Sequence, residues 1–230
     1  MSRPLVASAV LAAALSVSAT AWADVIISPN SVVASSSDPG APAINTINQS
    51  GLFSPFVSGV TDFDAYMAGS PLHDLAFGAE WFSQEELVAN NTSAVLTFDL
   101  GSVVTINRLA LWNEEFAGIA GFTLLVSTDG LTYATVLSGV SPSDNPIDQN
   151  YAADIFALGT QSARFVRLDA FNCPQPNPDG YVACGLGEIA FAMLTDGGGP
   201  PTGIPVPGAI LLLGGGLFGL LGLRISRKTR

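Results

Sequence analysis

Between residues 24 and 196 apolar positions alternate with polar ones or run in short blocks. Gly, Pro, Asn or Asp interrupts them roughly every ten residues, the spacing of many short strands. The pattern predicts strands over residues 31–36, 94–99, 103–112, 121–127, 133–137, 152–157, 164–170 and 187–191. Asp129-Gly130 marks a tight turn after the fourth of these. Only 83–88 reads as helical, with Ser83 as a cap and Glu86 three positions on. Many strands with few helices predict an all-β, jelly-roll sandwich.

Composition changes this picture little, but charge narrows the function. All nineteen acidic residues lie between Asp24 and Asp196, with only Arg108, Arg164 and Arg167 against them, a net 3 − 19 = −16. A body this negative repels phosphate backbones, which excludes a nucleic-acid partner. With 48% hydrophobic and 12% charged residues, the chain has the means to build a core.

The two ends read as addresses. Arg3 precedes an apolar run over 5–17, and Ala21-Trp22-Ala23 supplies an A-x-A cleavage site, so residues 1–23 read as a signal peptide with Asp24 as the first mature residue. Residues 197–203 (GGGPPTG) form a linker by composition. A Pro205-Val206-Pro207 segment follows, then sixteen uncharged residues, 208–223, and a basic tail with Arg224, Arg227, Lys228 and Arg230. Sixteen residues give about 24 Å of transmembrane helix against a hydrocarbon core of roughly 30 Å, short but extendable through Ile204–Pro207 and a snorkelling Arg224. An uncleaved membrane anchor is the alternative reading. Either way the basic tail belongs on the cytoplasmic side of the inner membrane and the acidic domain outside.

Export places Cys173 and Cys184, the only cysteines, in an oxidising compartment. They flank a Pro-rich loop, and a disulfide across eleven positions is expected. Two cysteines and one histidine make a poor zinc site.

The order of proline segment, short apolar helix and basic tail over residues 204–230 resembles the PEP-CTERM sorting signal of Gram-negative bacteria, in its VPxP-type form with Val206 where Glu is usual. The resemblance implies export, transient anchoring, cleavage by an exosortase near Pro205–Pro207, and release to the cell envelope or extracellular matrix. Within the 24–196 domain four pieces recur in a suggestive order: Phe98-Asp99-Leu100-Gly101, then FTLLVSTDG at 122–130 before Tyr133, then Ala163-Arg164-Phe165-Val166-Arg167-Leu168, and finally Gly187-Glu188-Ile189. Over about residues 31–192 this is similar to a discoidin, or coagulation-factor type C, domain of the galactose-binding-like fold. The early part departs: the 45–64 stretch replaces the usual short Asp-Gly-Asn segment. The resemblance implies a structural calcium ion where an early loop meets the Glu of the last strand, which pairs Glu188 with Asp62 and Asp64 as metal ligands.

Catalytic chemistry finds little support. There is no G-x-S-x-G elbow, and His73 is the lone histidine. Glu85, Glu86, Glu114 and Glu115 are the carboxylates a glycosidase would need, but neighbours on one element point apart and read as solvated surface. The expectation is a non-enzyme that binds carbohydrate, an exopolysaccharide or cell-surface glycan. A structural matrix protein is the alternative. Among the aromatics Trp81, Phe82, Trp112, Phe116 and Phe171, Trp112 belongs to the core, while Trp81 with Glu80 suits a ligand-binding rim.

Overall fold

The computed structural model describes residues 24–83, 91–176 and 182–195. The signal-peptide, linker, transmembrane and sorting segments lie outside them, as does nearly all of the 83–88 helix. Among the described residues no helix is long and apolar enough to cross a membrane.

The described residues form ten strands: β1 (Val25–Ile27), β2 (Ser31–Ala34), β3 (Leu72–His73), β4 (Trp81–Phe82), β5 (Ser93–Asn113), β6 (Gly121–Ser127), β7 (Ala134–Val140), β8 (Tyr151–Ala152), β9 (Asp154–Phe171) and β10 (Gly185–Met193). A 3₁₀ turn, Ala43–Thr46, and one short helix, α1 (Phe63–Ala68), lie between β2 and β3. Two pairs of predicted strands have merged. Residues 94–99 and 103–112 are one strand, β5, and 152–157 and 164–170 fall largely in another, β9.

These two long strands build the sandwich by turning a corner together. Leu100 to Val103 of β5 oppose the single Arg164 of β9, and Leu158 to Thr160 of β9 oppose the single Asn107 of β5. Extra residues on one strand bend a sheet locally. Gly101 and Gly159, both at positive φ, sit in the two bulges where most side chains would be strained. The first half of β5 and second half of β9 therefore belong to one layer with β2, β6 and β7. The other halves join β10, which carries β1 and β4 along its opposite edge. The result is an all-β sandwich.

The two layers close over Leu96, Phe98, Phe122 and Leu168 on one side and Leu109, Leu111, Ile189 and Phe191 on the other. The second layer is covered on its outer face as well. Ala110, Trp112, Ala190 and Ala192 alternate outward and meet Leu52, Phe56 and Phe63 from the segment between β2 and β3. Burial on both faces explains why residues 109–113 and 185–192 read as blocks rather than an alternation. The 45–64 stretch that departs from the discoidin pattern belongs to this cover. Asp62 caps α1 by accepting from the Ala65 N–H at 2.7 Å.

Cys173 and Cys184 form a disulfide with Cα atoms 5.0 Å apart, joining the chain after β9 to the residue before β10. On the loop-entropy account an eleven-residue closure contributes about 2–3 kcal/mol. Reduction should lower the melting temperature of the purified chain while its β-sheet circular dichroism persists below the transition; an unchanged melt after reduction contradicts the assignment of that stability to the bridge.

Candidate functional site

The strand pairing brings distant carboxylates together. Leu186 of β10 pairs with Trp81 of β4 on one side and with Asn113 of β5 on the other. Glu80 immediately precedes the first of these partners and Glu114 follows the second, so both arrive at the start of β10. After Asn113 the chain leaves the strand, and Glu114 folds back over the turn to accept from the Phe116 N–H at 2.9 Å and from the Ala117 N–H. Glu80, Glu114 and Glu115 are 1%, 1% and 5% exposed, with ligand oxygens within 4.8 Å of one another. The adjacent pair Glu114–Glu115 thus converges instead of pointing apart, because it lies in a turn and not on a strand.

Glycines at alternate positions of β10 make the approach possible. A Cβ on Gly185 would lie 2.8 Å from Oε2 of Glu114. One on Gly187 would lie 2.6 Å from the Tyr151 hydroxyl and 2.9 Å from the His73 ring. Tyr151 donates to Oε1 of Glu80 at 2.5 Å, and its oxygen lies 3.1 Å from Nδ1 of His73. That nitrogen also meets the Asp74 carbonyl at 2.7 Å, leaving Nε2 buried without a partner.

Burial governs the titration of these groups. Desolvation lifts Glu80 to about 8 against the opposing Tyr151 hydrogen bond. It also raises Glu114 well above the usual carboxylate range, with Glu115 and Glu80 adding to the effect. His73 is pushed down to about 4 by burial, opposed by its bond to the Asp74 backbone. Glycosidase carboxylates face a sugar across an open cleft. Glu80, Glu114 and Glu115 are sealed from a substrate of that size. Protons and small ions are what this cluster can hold.

Asp62, Asp64 and Glu188 do not form a comparable convergent group among the described residues. Asp62 is engaged as the α1 cap. Asp64 pairs with Arg108, which also reaches Asp24 at 2.6 Å and lies 4.4 Å over the Phe63 ring. Glu188 is fully buried, its Oε2 accepting from the Gln49 N–H at 2.8 Å and its Oε1 unpartnered. Burial raises its pKa well above the normal range, against the effect of that N–H.

Trp81 requires a correction. The sequence pairs it with Glu80 as a rim, yet both are buried: Trp81 packs in the inter-layer core and its indole donates at the core's edge to Oγ of the exposed Ser37 at 3.0 Å. Pairing of β4 with β10 draws it in. Trp112 is core, as its strand position predicts, donating to the Pro71 carbonyl at 2.9 Å. Phe82 is buried, and Phe116 and Phe171 are half-buried. Among the described residues the exposed phenyl rings are instead Phe53 and Phe77, at 57% and 64%. They stand on segments clasped to one another: Phe53 N–H donates to the Leu72 carbonyl at 3.1 Å, Asp74 N–H to the Gly51 carbonyl at 2.7 Å, and Ser50 Oγ to the Ala79 carbonyl at 3.3 Å. Phe77 stacks on buried Phe82 with centroids 5.7 Å apart, which holds its ring in place. Neither ring stands out in the sequence, since both lie in loop-like stretches without periodicity.

The titrations set a pH window. Glu80 rises from an ordinary 4.5 to about 8 on folding, so the native state holds its proton more tightly and stability declines as pH rises between those values. His73 falls from 6.5 to about 4 and acts oppositely below 6.5. Above pH 6.5 the Glu80 effect stands free of His73. In chelator, denaturant melts should show stability falling from pH 6.5 to 8, by at most about 1.4 kcal/mol per unit for this one group. Glu80→Gln should make that slope shallower, with Glu114 and Glu188 contributing to what remains; an equal slope in the variant excludes Glu80 as a source.

No family model matches this chain, and no curated protein does. Solved structures do. The CBM32 of AlyQ, in complex with 4,5-unsaturated mannuronic acid, is 20% identical with a TM-score of 0.46 over 72% of this chain and 96% of that one. CpGH89CBM32-5 from Clostridium perfringens, in complex with GalNAc-β-1,3-galactose, is 17% identical with a TM-score of 0.46 over 70% and 94%. A pectin-binding carbohydrate-binding module is 16% identical with a TM-score of 0.45 over 76% and 96%. These are structures to which the chain is similar, and its own strand order and register carry the fold assignment given above.

Proposed function

We propose that this is an exported surface or matrix protein whose sandwich binds carbohydrate, an exopolysaccharide or cell-surface glycan, without catalysing its cleavage. The observation that carries the reading is the pair of exposed rings, Phe53 and Phe77. A flat apolar ring matches the C–H face of a pyranose, and polar groups beside it take up hydroxyls. Ser50, Asp74 and Asn48 belong to the same clasped segments as the rings. Phe77, braced by Phe82, is presented without the entropy cost of ordering a free side chain.

Export and sorting belong to the same proposal. The A-x-A site before Asp24, the Pro205–Pro207 segment, the apolar 208–223 run and the basic tail support delivery across the inner membrane of a Gram-negative bacterium, processing by an exosortase, and release to the envelope or matrix.

The test is affinity electrophoresis of the purified full-length chain through gels containing a panel of polysaccharides. Phe77→Ala should weaken binding roughly tenfold with only a small fall in melting temperature from the lost stack on Phe82. Saturable retention competed by free sugar supports the module. Retention unaffected by loss of both rings excludes them as the binding site, and silence across the panel overturns the module in favour of a structural matrix role.

A further inference from the structure

We propose that Glu80, Glu114 and Glu115 bind one calcium ion at the start of β10, a site independent of the exposed rings. Their ligand oxygens lie within 4.8 Å of one another. Oxygens that near one another can share one cation, and calcium is readily held by protein carboxylates and carbonyls, whereas magnesium keeps several of its waters. The donor set is all oxygen, which suits a hard cation.

Acidic side chains gather on many surfaces without a ligand, but this group is not on a surface. Oε2 of Glu115 is buried on a side chain only 5% exposed and has no hydrogen-bond partner. A carboxylate oxygen cut off from water with no donor is among the costlier arrangements in a protein interior. The arginines among the described residues are engaged elsewhere: Arg108 pairs with Asp24 and Asp64, Arg164 with Asp99, and Arg167 with Asp169. The neighbouring donors are committed too. The Tyr151 hydroxyl goes to Glu80, the Phe116 and Ala117 N–H groups go to Glu114, and Nδ1 of His73 faces Tyr151 and the Asp74 carbonyl.

The ligands are also held in place from behind. Nε2 of Gln175 donates to the Glu115 carbonyl at 2.6 Å and to the Asn145 carbonyl at 3.2 Å. Asn113 donates to the Ile119 and Ser143 carbonyls and accepts from the Ile119 N–H. Rigid positioning of this kind reduces the ordering required when an ion enters. A calcium ion here links the segment before β4 to the turn after β5, the two elements that flank β10 at Leu186.

The test melts the purified full-length chain at about pH 7.5 in calcium chloride and in EGTA, and titrates it with Tb³⁺ while exciting tryptophan, Trp81 being next to Glu80 in the chain. At calcium one hundred times its Kd the midpoint should rise by roughly 5–10 °C, with sensitised Tb³⁺ emission that calcium displaces. Glu115→Gln and Glu80→Gln should abolish both signals while melting no lower than the native chain in EGTA, because a neutral amide relieves the repulsion. Asp62→Ala and Asp64→Ala should keep the calcium shift. If a Gln variant does not fold, displacement of Tb³⁺ from the native chain decides alone. Identical curves in calcium and EGTA with no emission overturn the site. So does a calcium response that survives in Glu115→Gln, and so does a melting point that rises as pH falls yet ignores calcium, which assigns the cluster to shared protons.

Discussion

The structure depends on the burial of β10 on both of its faces. Its inward side chains, Ile189 and Phe191, fill the space between the layers, and its outward ones, Ala190 and Ala192, are roofed by Leu52, Phe56 and Phe63. A strand in that position has water on neither side, so any polar side chain on it must find a protein partner. Glu188 does so with the Gln49 N–H of the cover. The cover is thus held to the sheet by apolar contact and by a buried carboxylate whose alternative is solvent.

The same constraint shapes the surroundings of the acidic cluster. The cover and the turn after β5 close over the start of β10, and the side chains that meet there are Glu80, Glu114, Glu115, His73 and Tyr151. Small residues on β10, Gly185 and Gly187, leave the room for them. In a domain with nineteen acids and three arginines, charge neutralisation is scarce, and all three arginines serve other acids. Desolvation then moves Glu80 and Glu114 up and His73 down, all toward the neutral form.

Packed and exposed aromatic rings are separated on the molecule. The tryptophans at positions 81 and 112 are consumed by the core, where their area contributes most and their indole N–H groups find Ser37 and the Pro71 carbonyl. The exposed rings among the described residues, Phe53 on the cover and Phe77 on the loop between β3 and β4, stand off the sandwich strands. Loop segments pinned by backbone hydrogen bonds to each other, with a rigid sheet beneath them, are where binding surfaces commonly form.

The amino-acid sequence by itself determined the strand content and the turn chemistry after residues 121–127, where Asp129 and Gly130 lie in a connection over 128–133. These follow from period-two patterning and turn chemistry, which are local. Residues 121–127 were legible to the residue because turn-forming stretches bound them and one face is more deeply buried than the other. The merging of two strands into β5, and of two more into β9, was not legible. A bulge looks like a loop until the partner strand shows that pairing resumes beyond it. The short strands β1, β3, β4 and β8 are two or three residues long and carry no period to detect. Tertiary structure alone decided that Trp81 is core and not rim, that Asp64 serves Arg108, and that Glu80, Glu114 and Glu115 meet. Glu80 is more than thirty positions from the adjacent Glu114 and Glu115, and they converge only because β4 and β5 flank the same residue of β10, a relation that exists in the sheet and not along the chain.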